Sequence, residues 1–186
     1  MSAAGSAGVV IERAQPQDAA VLHEIARQTF VHATPPEADP ASIEQFVATS
    51  LSEEAFRGHL DSPASRVLIA RRDGEAIGYA LLLLDRPLPQ GEGIDPAQEI
   101  LTGRGLFMSK FYLLTQARGT GASSALLEKC LETGRRIGAD VLWLQVNDQN
   151  QRANAFYERL GLVRVGTAEF QLGAQLHHDF LRARRL

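Results

Sequence analysis

The sequence predicts an α/β fold built on a mixed sheet, and three stretches carry that prediction. Residues 106–131 read LFMSKFYLL, then TQARGTGASS, then ALLEKCL: an apolar strand, a glycine-rich turn, and a helix with Leu126, Leu127, Cys130 and Leu131 on one face. Gly138 ends that helix and VLWLQV at 141–146 follows, so a strand, a crossover helix and a second strand give parallel neighbours. The runs 66–71 and 75–84 flank Asp73-Gly74, a two-residue hairpin signal, which adds an antiparallel pair. Parallel and antiparallel pairing together make the sheet mixed.

The remaining elements follow in chain order. Residues 1–8 are small and polar and are expected to be disordered, leaving 9–186 as one domain. A short strand at 9–12 precedes a helix that Asp18 can cap, with Ala19, Val21, Leu22, Ile25, Ala26 and Phe30 on its apolar face. The proline-rich 34–40 reads as a loop, and 42–51 and 52–60 as two short helices, the second opening on Ser52-Glu53-Glu54. Residues 86–104, rich in proline and glycine, read as a long loop. After a turn at 147–150, Ala153, Phe156, Tyr157 and Leu160 recur at helical spacing and Gly161 caps the helix. The segments 162–165, 169–172 and 178–181 read as a closing antiparallel pair, and Arg182, Arg184 and Arg185 as a solvated tail.

Composition narrows the function classes. With 45% apolar and 22% charged residues the chain is an ordinary globular protein, and a net charge of −3 argues against a nucleic-acid surface. One cysteine excludes an internal disulfide, and Cys130, among apolar helix positions, reads as core. No leader or apolar run long enough for a membrane helix is apparent, so the cytoplasm is the expected compartment; a homodimer is compatible with the sequence. His177-His178 is not a metal pair, because adjacent strand residues point to opposite faces.

A strand that turns through glycines into a helix aims backbone N–H groups and a helix dipole at one point, which suits a phosphate. There is no Gly-Lys-Ser/Thr, and the spacing is not that of a dinucleotide fingerprint. The pattern Arg118, Gly119, Thr120, Gly121, Ala122, Ser123 resembles the acyl-CoA signature of the GNAT superfamily of N-acetyltransferases, Arg/Gln-x-x-Gly-x-Gly/Ala, with Ser123 in the last position. A frame starting at Gln116 also contains Gly-x-Gly but shortens the strand-to-turn connection. Asn150-x-x-Ala153-x-x-Phe156-Tyr157-x-x-x-Gly161-Leu162 resembles the second GNAT signature, and the two together are far more specific than either.

The resemblance implies a GNAT fold, a mixed central sheet with splayed parallel strands flanked by helices. It implies acetyl-CoA as cosubstrate, its arm paired with Phe111, Tyr112 and Leu113 and hydrogen-bonded by Asn150. By the same resemblance Tyr157 is the general acid and the Leu113 N–H meets the oxyanion. Many family members carry a glutamate on the strand entering the CoA motif; Phe107, Met108 and Ser109 stand here. The base is then a water chain or a carboxylate from elsewhere such as Glu99 or Asp148, or an amine of low pKa needs little help. Within the superfamily the chain looks most like bacterial polyamine-type (spermidine/spermine) N-acetyltransferases, which implies a small primary amine or polyamine acceptor met by Glu37, Asp39 and Glu44. Acetylation of a protein, and acyl-CoA binding without turnover, stay open.

Overall fold

The computed structural model describes residues 8–84, 86–95 and 99–186; the expected leader, apart from Gly8, lies outside them. The chain runs β1 (Val9–Arg13), α1 (Ala19–Thr29), α2 (Pro40–Ser50), α3 (Glu53–Asp61), β2 (Ser65–Arg72) and β3 (Glu75–Leu83). It continues with β4 (Gly105–Leu113), α4 (Ala122–Arg136), β5 (Val141–Asn147), α5 (Gln151–Arg159), β6 (Val163–Leu172) and β7 (Gln175–Arg185). These strands form one sheet in the order β1-β2-β3-β4-β5-β7-β6, antiparallel throughout except for the β4–β5 pair.

Each face of the sheet carries its own core. Helices α1, α2 and α3 bury Leu22, Ile25, Val47 and Phe56 against Ile69, Tyr79 and Leu81. On the opposite face α4 buries Leu126, Leu127, Cys130 and Leu131 against Leu82, Leu106 and Leu142, with Tyr157 of α5 in the same cluster. Each fully buried leucine contributes about 1.5–3 kcal/mol. Two local expectations are corrected. Asp18 opens α1, but its carboxylate accepts from the Gln15 N–H and the Arg71 guanidinium instead of the helix N–H groups. Pro40 belongs to α2, not to the loop: Asp39 caps the helix by accepting from the Ser42 N–H, and proline suits the first turn, where no N–H partner is needed.

The closing pair is also longer than expected. Strands β6 and β7 form a continuous hairpin through a positive-φ Gly173, and β7 runs to Arg185. Arg182 and Arg184 are therefore not a solvated tail, whereas Arg185 is exposed. Arg182 is buried, donating to Asn154 Oδ1 and to the Leu162 carbonyl, and Arg184 donates to the Leu160 carbonyl. Alternation along an amphipathic strand brings every second charged side chain inward, where backbone carbonyls receive it.

The feature that makes a site is the incomplete join between β4 and β5. They pair at Gly105–Val141, Leu106–Leu142 and Phe107–Trp143, and then separate. At that point Leu81 faces Lys110 and Leu82 faces Met108, so Ser109 is an extra residue in β4. A bulge of this kind bends the strand and increases its twist, which carries β4 away from β5. Gly78 lets β3 follow closely, since a Cβ there would lie 2.6 Å from Leu113 Cγ and 2.8 Å from the Tyr112 carbonyl oxygen.

Candidate active site

The separated ends of β4 and β5 open a groove of about 1050 Å³ that reaches from the start of α4 to the α1–α2 side of the sheet. That is room for a ligand of cofactor size. The edge of β4 faces it with unpaired backbone. Leu114 donates to the Ile77 carbonyl at 2.8 Å, which makes Gly78–Leu113 a non-hydrogen-bonded pair. The N–H and C=O of Leu113, and by alternation those of Phe111, therefore turn from β3 toward the gap.

At the α4 end the glycine-rich turn is built for an anion. Gly119 and Gly121 have φ of 73° and 80°, a left-handed backbone that other residues adopt at a cost. Thr120 stabilises the turn, its Oγ1 donating to the Ala117 carbonyl and accepting from the Ala122 N–H. Among the described residues no acceptor meets the N–H of Gly119, Gly121, Ser123 or Ser124, and Arg118, Ser123 and Ser124 line the groove. Free N–H groups and the N-terminus of α4 lie at this end of the groove, with Arg118 in its lining, an arrangement that suits an anion.

Helix α5 forms the other wall. Asn150 caps it, Oδ1 accepting from the Ala153 N–H at 3.1 Å. Behind the cap, Asn154 donates to the carbonyls of Asn147 and Asn150 at 3.0 Å each and accepts from Arg182 at 2.9 Å. Tyr157 is buried in the groove wall beside Phe111, whose ring centroid lies 6.1 Å away. Burial, and then the neighbouring Tyr112, push the Tyr157 phenol well above its usual range, so it stays protonated and able to donate at neutral pH.

Phe111, Tyr112, Leu113, Arg118, Ser123, Asn150 and Tyr157 all line this groove, and Gly119, Thr120, Gly121 and Ala122 form the turn at its mouth. Glu37, Asp39 and Glu44 do not line it. Glu37 accepts from the Gln149 side chain, Asp39 is occupied as the α2 cap, and Glu44 is exposed. Glu99 and Asp148, considered as bases, are also outside the lining.

Lys110 and Asp179 also line the groove and were not anticipated as site residues. Desolvation, aided by Arg86, lowers the Lys110 ammonium to about 8. Burial and the neighbouring Asp148 raise the Asp179 carboxyl to about 6. Nothing in the local sequence marks either residue; the bulge at Ser109 and the β5–β7 register bring them in. His177 is buried and His178 exposed, and no group of three or more potential metal ligands occurs among the described residues.

Residues 21–162 match the model of the Acetyltransferase (GNAT) family. The chain belongs to the GNAT acetyltransferase family. An uncharacterised N-acetyltransferase of Mycobacterium tuberculosis is 39% identical over 169 residues, 91% of this chain and 98% of the relative. Another from Lactobacillus delbrueckii, also an uncharacterised N-acetyltransferase, is 31% identical over 179 residues, 96% of this chain and 98% of that one. The PaiA N-acetyltransferase of Thermoplasma acidophilum, solved with coenzyme A, superposes with a TM-score of 0.74 at 17% identity, covering 96% of this chain and 99% of that structure. The Escherichia coli ribosomal-protein-S18-alanine N-acetyltransferase has a TM-score of 0.67 at 16% identity, over 95% and 93% of the two chains. As a GNAT enzyme the protein is an acetyl-CoA-dependent N-acetyltransferase. Among its described residues no helix is long and apolar enough to cross a membrane.

Proposed function

We propose that the protein acetylates a small primary amine with an apolar body, in the cytoplasm where acetyl-CoA is at hand. The glycine turn and Arg118 hold the pyrophosphate, the edge of β4 and Asn150 hold the arm, and the Leu113 N–H meets the oxyanion. Tyr157 gives its proton to the leaving sulfur.

The lining of the acceptor half is the observation that carries the choice of substrate. Phe30, Phe46, Tyr112 and Phe170 wall it, with Phe30 stacked on Phe46 at 4.7 Å and Phe170 edge-on to Phe46 at 5.8 Å. Asp179 is its one lining carboxylate among the described residues, and the Lys110 ammonium lies 6.0 Å from the Phe46 ring centre. A polyamine brings several ammonium groups and would meet one anion and one cation here, whereas a monoamine with an apolar body matches the wall.

Release of CoA thiol from acetyl-CoA with 2-phenylethylamine, spermidine and short peptides tests this reading. The expected result is a kcat/KM for 2-phenylethylamine at least ten times that for spermidine. A preference for spermidine overturns the apolar-body assignment, turnover of peptides alone points to a protein substrate, and acetyl-CoA binding without release with any amine makes the chain a binding module.

A further inference from the structure

We infer that Asp179 is the general base of the reaction, taking the proton that the acceptor ammonium must lose before it attacks. The inference rests on the acetyl-transfer reading above and assigns the one role that β4, with Phe107, Met108 and Ser109 where a carboxylate would stand, leaves open.

Three placements support it. Asp179 pairs in register with Asn147, the last residue of β5, on the stretch of β5 that has already parted from β4. It is only 8% exposed, yet it lines the groove, as does Phe170 of the acceptor wall, which pairs with His177 on the adjacent strand. Asp179, Tyr112 and Tyr157 all line the groove, and the Asp179 charge acts on the Tyr112 phenol, which in turn acts on that of Tyr157. The groups that act on Asp179 are Tyr112 from β4, Asn147 and Asp148 at the end of β5, and His178 on its own strand, which also carries His177; Lys110 of β4 lines the same groove. Glu37, on the loop before α2, interacts with His177. A carboxyl raised to about 6 is a stronger base than a free one and is still ionised at neutral pH.

Asp179 accepts one proton from the ammonium and later releases it to solvent. The freed nitrogen lone pair forms the C–N bond at the thioester carbonyl, whose electrons move to the oxygen. As the oxyanion collapses, the C–S bond breaks and Tyr157 protonates the sulfur. The second proton lost by the nitrogen restores the phenol, and the products are the amide and free thiol.

Asp179→Asn and Asp179→Glu are compared with the native protein for 2-phenylethylamine acetylation across pH 5–9, for acetyl-CoA hydrolysis without amine, and for acetyl-CoA affinity by calorimetry. The native enzyme should lose kcat/KM below about pH 6. Asp179→Asn should lower kcat/KM at pH 7 by about a hundredfold or more and abolish that acid limb. Asp179→Glu should restore part of the rate, and affinity for acetyl-CoA should stay within twofold of native for both. Hydrolysis, in which water replaces the amine, should fall at least tenfold in Asp179→Asn. If no amine is turned over but hydrolysis falls in this way, the base stands and the acceptor assignment fails. Hydrolysis and pH profile unchanged in Asp179→Asn overturn the inference.

Discussion

Arg182 and Asn154 meet at 2.9 Å, Nε to Oδ1, and both are buried. The asparagine passes this anchorage to the carbonyls of Asn147 and Asn150, so a guanidinium on β7 fixes the entry to α5. Asn154→Leu removes all three bonds and leaves the Arg182 Nε–H without its partner. It should destabilise the protein by about 2–3 kcal/mol, read by urea denaturation, and weaken acetyl-CoA binding through the displaced Asn150.

Gly119 and Gly121, both at positive φ, make the proposed phosphate cradle sensitive to small changes. An added Cβ at Gly119 or Gly121 meets nothing within 4 Å, so alanine there strains the backbone without a clash. Gly121→Ala should cost about 1–2 kcal/mol in that turn and lower acetyl-CoA affinity roughly tenfold by calorimetry, with the rest of the fold intact by circular dichroism.

Tyr157→Phe keeps the ring contacts with Phe111 and Phe156 and removes the proposed proton donor. Turnover should fall by more than about tenfold while acetyl-CoA affinity hardly changes. Equal turnover in the two proteins would remove Tyr157 from the chemistry.

Asp179 should also leave its mark on stability. Its folded pKa, about 6, lies above the ordinary carboxyl value of 3.8, so between these values the folded state holds more protons than the unfolded one. Stability from this group is therefore greatest below pH 4 and is lost as pH rises through 6. Asp179→Asn should be more stable than the native protein at pH 7.5, by about 1 kcal/mol after allowance for screening, with the difference gone near pH 4 in thermal melts.

How much of this was legible in sequence depended on whether a residue's role is local. The turn from Arg118 to Ser123 and Asn150 act within a few residues of themselves, and the resemblance of their motifs to the GNAT signatures singled them out, although the capping role of Asn150 did not emerge from it. Asp179 enters the groove only because β7 inserts between β5 and β6, an order that strand patterns do not encode. Lys110 joins the groove lining beside a bulge, which shifts the alternation that sequence reading assumes. Glu37 and Asp39 illustrate the converse: acidic residues in the expected region whose carboxylates are held by Gln149 and Ser42.

The three residue pairs that join β4 to β5 have a mechanical consequence. They are the spine between two leaves of the sheet, one of β1 to β4 and one of β5 to β7. The stack of Phe107 on Trp143, at 4.1 Å, and the Leu88 side chain, which leaves no space for a Cβ on Gly105, brace that spine on one face. The angle between the leaves is thus set where β4 and β5 are still paired, at the closed end of the groove, which Phe107 also lines. A library that varies Leu88, Phe107 and Trp143 would tune how wide the enzyme gapes while leaving every residue assigned to the chemistry in place.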